Sequence, residues 1–151
     1  MSNFNKLSIS FDNPEHGWIS LAVHHKQTEF DMNLSYVSIN SFEELIKALG
    51  KVWIESYCSV VVKWLAEPDI YELRFSRKDN DVLFEIYWQN GSQKLCRLKF
   101  NYAGNKESIC LPFWRALRSL EGRFSPDELT ERWHCKWPSD SLRKLTEIIQ
   151  N

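Results

Sequence analysis

The segment Phe11-Asp12-Asn13-Pro14-Glu15-His16-Gly17-Trp18 puts two carboxylates and an imidazole in one short turn that opens onto a tryptophan. Pro14 and Gly17 stiffen and reverse the backbone, and a turn held in this way presents its side chains rigidly, as binding loops do. In a recognition loop, Asp12, Glu15 and His16 are polar contacts around the Trp18 ring. In a purely structural turn, Asp12 caps the turn, Gly17 supplies an unusual backbone angle and Trp18 packs. The candidate partner-binding set is Asp12, Glu15, His16 and Trp18, with Asp31 as a further rim charge.

Other chemistries find less support. His24 and His25 are adjacent, so on a strand they point to opposite faces and cannot share an ion. His134-Cys135 is also adjacent, and no second ligand pair lies at zinc spacing. No metal ligand set and no cofactor are therefore assigned. The chain has no GxSxG elbow, no protease-type cysteine context and no glycine-rich phosphate loop, and it has only five glycines in all. No catalytic residue is assigned. Glu72 and Glu85 can face each other across adjacent strands as an acid–base pair. Arg74, Arg97, Lys99 and Lys63 fall on the same face, however, and cross-strand ion pairing accounts for all six.

Arg132-Trp133-His134-Cys135-Lys136-Trp137-Pro138 interleaves basic and aromatic residues, a mix that can stack on bases. It lies between two expected helices, where Trp133 and Trp137 serve to pin those helices to the core. A net charge of −1 supplies no field for nucleic acid or an anionic membrane. Nucleic acid is not an expected partner. The first fifty residues are more acidic than the rest, with Lys6, Lys26 and Lys47 against Asp12, Glu15, Glu29, Asp31, Glu43 and Glu44. That third of the chain suits a basic partner or is simply a solvated surface.

The elements that position these residues read from hydrophobic period. Leu7, Ile9 and Phe11, then Ile19, Leu21 and Val23, then Phe30, Met32 and Leu34 alternate with polar residues, giving three half-buried strands. Ser41-Phe42-Glu43-Glu44 fits a capping box with Ser41 as the cap. Phe42, Leu45, Ile46, Leu49 and Trp53 then keep helical spacing through Gly50. Four more strands follow, around Val60–Leu65, Tyr71–Phe75, Val82–Trp88 and Cys96–Tyr102. Asn90-Gly91 marks a type I′ turn between the last two, and Cys96, Leu98, Phe100 and Tyr102 share a face. Pro112 is placed in the first turn of a helix, or just before it, and Gly122 closes that helix. Ser125-Pro126 opens a short helix, and Ser139 to Gln150 forms the last one.

The order βββ-α-ββββ-α-α-α predicts an α+β fold, a mostly antiparallel sheet of about seven strands with helices packed on one face. Whether the two meanders make one sheet or two stays open. At 151 residues the chain is expected to be a single domain, residues 1–151. No apolar run reaches the roughly 18–20 residues of a membrane span. There is no signal-peptide pattern, and the four cysteines are scattered. Reduced cysteines and a cytoplasmic location are expected.

Residues 11–18 and Leu111-Pro112-Phe113-Trp114-Arg115-Ala116-Leu117 resemble segments of a family of small uncharacterised bacterial proteins of about this length. The likeness spans most of the chain and implies no activity. In size and element order the chain is also similar to immunity proteins of bacterial toxin systems, a likeness of architecture alone. The expected function is a non-enzymatic protein-binding module of immunity type, its partner a basic toxin or another bacterial protein. The alternative is a small-molecule-binding protein or cryptic enzyme with a pocket between sheet and helices.

Overall fold

A computed structural model describes residues 6–37, 39–92 and 95–151. The elements follow the expected order: β1 (Ser8–Phe11), β2 (Trp18–His25), β3 (Thr28–Ser35), α1 (Ser41–Ile54), β4 (Tyr57–Leu65), β5 (Ile70–Lys78), β6 (Asp81–Gln89), β7 (Cys96–Gly104), α2 (Lys106–Arg123), α3 (Pro126–Trp133) and α4 (Ser139–Gln150). The strands make two antiparallel meanders, β1-β2-β3 and β4-β5-β6-β7. The fold is α+β, with two sheets in place of one continuous sheet. The turn Lys26-Gln27 and the turn Asp79-Asn80 are both two-residue hairpin loops, each with its first residue at φ 57°. No helix among the described residues is long and apolar enough to cross a membrane.

Helix α1 packs on β4 and β5 and against α4, and α2 touches β1 and β6, so α2 bridges the sheets. The buried side chains of both sheets and all four helices form one continuous cluster. Its centre is aromatic. The Phe42 ring lies 5.0 Å from Trp64, 5.1 Å from Trp133, 5.0 Å from Trp137 and 5.3 Å from Phe11. Rings of this size bury 150–250 Å² each, and their tilted contacts match the preferred edge-to-face geometry. Trp64 and Trp133 keep their buried indole N–H groups without an oxygen or nitrogen partner. Each crosses Phe42 at a steep angle, 82° and 72°, as the ring faces of this cluster permit.

Five expectations are corrected. Asn40, not Ser41, caps α1 by accepting from the Glu43 amide, while the Ser41 hydroxyl donates to Lys63 O and ties the helix to β4. Helix α1 does run through Gly50 to Ile54. Pro112 lies in the second turn of α2, because the Asn105–Ser108 capping box starts that helix six residues earlier. Arg123, one residue beyond Gly122, is the last residue of that helix. Neither Asn90 nor Gly91 has the positive φ of a type I′ turn. Gly91 packs close to Pro68 instead, where an added Cβ would sit 3.0 Å from the proline ring. In β7 a bulge between the pairs Ile86–Phe100 and Tyr87–Leu98 leaves Lys99 unpaired. One extra residue flips every side chain before it. Leu98 therefore lies on the outer face, exposed, opposite Phe100.

Candidate functional site

The type I′ geometry sits at His16-Gly17. His16 has φ 55° and Gly17 φ 80°, and Glu15 and Trp18 exchange both backbone hydrogen bonds at 2.9 Å. Glycine is required at the second position for a further reason. A Cβ there would overlap the Tyr36 ring and lie 3.1 Å from His134 Nδ1. The Gly17 amide donates to Arg132 O at 2.9 Å, taking one of the carbonyls that the end of α3 leaves open, and Gly17 O accepts from the Tyr36 amide. The turn is docked on α3.

Two arginines from the helices fasten the rest of the segment. Arg123 donates to Phe11 O at 2.9 Å and to Asn13 Oδ1 at 2.7 Å. Arg132 donates to Pro14 O at 3.2 Å and meets Glu15 Oε1 at 3.3 Å. Asp12 accepts from the Ser20 amide at 2.7 Å, which sets the turn into β2. Phe11 is buried beneath Phe42 and Trp64. The segment is thus a clasp between the first sheet and the C-terminal helices. Asp12 and Gly17 play the structural parts that turn chemistry assigns them.

The five candidate residues separate into two groups. Asp12, Trp18 and Asp31 share the outer face of the β1-β2-β3 sheet, since Trp18, Ser20 and Ala22 alternate outward along β2 and Ala22 pairs with Asp31. Glu29, paired with His24, joins them. Glu15 and His16 lie around the corner, on a cleft of about 520 Å³ that Glu128, Glu131, Arg132 and His134 complete. His134 also adopts a left-handed backbone (φ 68°) as the C-cap of α3, with its ring edge-on to Tyr36 at 5.1 Å. Glu15 is engaged with Arg132, and His16 is exposed.

The outer face of the first sheet is open. Ser8, Ser10, Asp12, Trp18, His24, Glu29, Asp31 and Asn33 are all exposed, and Trp18 shows 39 % of its surface. Asp12, Glu29 and Asp31 lie on it, and no lysine or arginine stands at a paired position of these three strands. Ser20 and Ala22 lie between Trp18 and His24 on this face, and Ser35, the cross-strand partner of Trp18, is buried and donates to Glu67 Oε1 at 2.8 Å.

The other candidates resolve as structure. Trp133 and Trp137 are buried, and Trp137 Nε1 donates to Glu121 Oε2 at 2.9 Å. His24 points outward and His25 inward, edge-on to Tyr102 at 4.7 Å, with its pKa lowered first by burial and then by Lys26 and His24. Glu72 is buried on the outer side of the second sheet and takes donors from Arg74 (3.0 and 2.7 Å) and Gln89 (3.2 Å). Glu85 accepts from the Tyr87 hydroxyl, and the Arg74 guanidinium stacks 3.8 Å from the Tyr87 ring. Arg97 lies opposite Trp88 on the other face, because the bulge comes between. Among the described residues no group of three or more histidine, cysteine or acidic side chains could hold a metal ion. The cysteines are free, and burial pushes the Cys110 thiol up to about 12.

In the second resembling segment Phe113, Ala116 and Leu117 are core, and Trp114 Nε1 donates to Thr146 Oγ1 at 2.9 Å, tying α2 to α4. No protein-family model, curated protein or solved structure matches the chain.

Proposed function

We propose that this chain is a non-enzymatic protein-binding module that holds a basic partner on the outer face of its first sheet, as an immunity-type protein holds a bacterial toxin. The observation that carries the reading is the face itself: a half-exposed Trp18 among Asp12, Glu29 and Asp31, none of which forms an ion pair among the described residues. An aromatic anchor ringed by like charge is the arrangement that gives an interface both affinity and electrostatic steering. Unpaired carboxylates repel each other and persist at little cost only in solvent, so a cationic surface is the complementary partner. The arginine-held clasp keeps this face in one shape before a partner arrives, which lowers the entropy lost on binding.

Gentle purification of the full chain from its native cells tests this reading. A stoichiometric basic protein should accompany it, retained at low salt and shed as salt rises. Trp18→Ala should abolish retention. Recovery of the chain alone, or of a partner that Trp18→Ala and Asp31→Lys leave in place, defeats the proposal.

The small-molecule reading rests on a separate feature, an apolar groove of about 350 Å³ between α2 and the strand ends, lined by Leu7, Tyr102, Leu111 and Pro112 with Lys6 and Arg115 at its rim. A fluorescent hydrophobic anion that fails to bind there, as judged by Leu111→Glu leaving its signal unchanged, removes that reading.

A further inference from the structure

The second sheet presents a second face that no helix covers among the described residues. Its outward rows are fixed by register: Ser59, Ser76, Leu83 and Ala103 share one, with Arg74 opposite Glu85 in the row before and Lys78 opposite Asp81 in the row after, at the hairpin end. Large apolar groups stand in the open there, Val61 at 50 %, Leu83 at 37 % and Leu98 at 44 % exposure. The polar centre is already ordered, since Arg74 is fixed by Glu72 and stacked on Tyr87.

We infer that this face pairs with the same face of a second copy of the chain. Consider a two-fold axis in the interface, parallel to the strands and midway between β5 and β6. It lays each β5 residue over the β6 residue of the other copy that is its own cross-strand neighbour. Because those neighbours are opposite in charge, Arg74 meets Glu85 of the second copy and Lys78 meets its Asp81, each contact occurring twice. The Ser76–Leu83 row brings the two Leu83 side chains together beside the axis. Ser59 and Ala103 flank them, small enough for the sheets to approach. A face with one sign of charge could not pair with itself; this one is neutral by register.

Two sheets packed face to face cross at about 30°. With the two sheets crossing over the Leu83 row, that rotation displaces the charge pairs by roughly 3–4 Å, within reach of arginine and lysine side chains. Four strands of nine residues present about 19 by 30 Å, so the two copies together bury at most on the order of 1,100 Å². That is near the lower bound for a specific interface, so the dimer is a weak, concentration-dependent one. It uses none of the residues of the proposed partner face and stands or falls separately.

Sedimentation velocity of the full chain from low to high micromolar concentration tests the pairing. The wild-type mass should rise from 17.9 kDa towards twice that value. Leu83→Arg should stay monomeric with an unchanged urea midpoint. Lys78→Glu and Asp81→Lys should each stay monomeric alone, because each sets like charges against each other twice. An equal mixture of these two variants should regain the dimer, since every cross-copy contact then pairs opposite charges. A wild type that is monomeric throughout, single variants that still dimerise, or a mixture that does not recover would each overturn the inference.

Discussion

Replacing Gly17 by alanine should be one of the most damaging single-methyl changes available in this chain. The backbone there is left-handed, at φ 80°, which costs an alanine about 1–2 kcal/mol. The new methyl would also overlap the Tyr36 ring and crowd His134, and forced packing of this kind costs a further 1–3 kcal/mol or so. The sum, about 2–5 kcal/mol, is a large share of the roughly 5–15 kcal/mol that holds an ordinary domain together. The same substitution at Gly122 meets nothing within 4 Å, and at Gly50 only Leu145 Cδ1 at 3.9 Å. Both lie in helices, where alanine is favoured by about 0.5–1 kcal/mol. Urea titrations followed by tryptophan fluorescence give all three values on one scale. Gly17→Ala should shift the midpoint far down, and Gly50→Ala and Gly122→Ala slightly up. A Gly17→Ala protein within about 0.5 kcal/mol of wild type would refute the clasp between the turn and α3.

Glu72→Ala should destabilise by about 1–3 kcal/mol, because it strips the acceptor from Arg74 and Gln89 in a buried position; chemical denaturation measures it. Trp137→Phe removes the indole bond to Glu121 and should cost on the order of 1 kcal/mol, with little further loss when Glu121→Gln is added. In thiol titration at mild alkaline pH, exposed Cys96 should react at once. Cys110, buried and held as the thiol to about pH 12, should react only after denaturant is added. The His25 ring binds its proton less readily when folded than when unfolded. Its contribution is therefore complete above the ordinary imidazole value of 6.5 and falls away as pH drops below it. An NMR titration should place its midpoint under 6.5, and a midpoint above that value would contradict the inward placement beside Tyr102.

Much of the architecture was legible because it follows from period. Alternation along β1 to β3 separated Leu21 and Val23 from Ser20 and Ala22, and the register of these strands sets Asp12, Trp18 and Asp31 on one outward face. The failures share a different cause. Asn90-Gly91 has the strongest turn composition in the chain, yet the paired left-handed backbone falls at His16-Gly17, where docking on Arg132 and Tyr36 outweighs local preference. The bulge at Lys99 leaves no mark in the alternation of β7, and it reversed the reading of Leu98 and Arg97. Asn40 displaced Ser41 as the cap of α1 because Ser41 is drawn to a carbonyl of β4.

The clasp was invisible for a related reason. Arg123 and Arg132 reach backbone carbonyls of Phe11 and Pro14 more than a hundred residues away. A carbonyl acceptor is present at every residue and carries no sequence signature. Arg77, which donates to Val52 O and Trp53 O at the end of α1, was missed in the same way. Glu15 and His16 were grouped with Asp12 and Trp18 by proximity in sequence. The tight reversal at His16-Gly17 turns them onto the α3 side instead.

The most direct test of the proposed binding face is carbodiimide labelling of surface carboxylates, read residue by residue with and without the co-purified partner. Asp12, Glu29 and Asp31 should be protected in the complex, while Glu128 and Glu131 by the α3 cleft keep their labelling. Protection of the cleft or of the second sheet, with those three carboxylates labelled as freely as in the isolated chain, would contradict the reading.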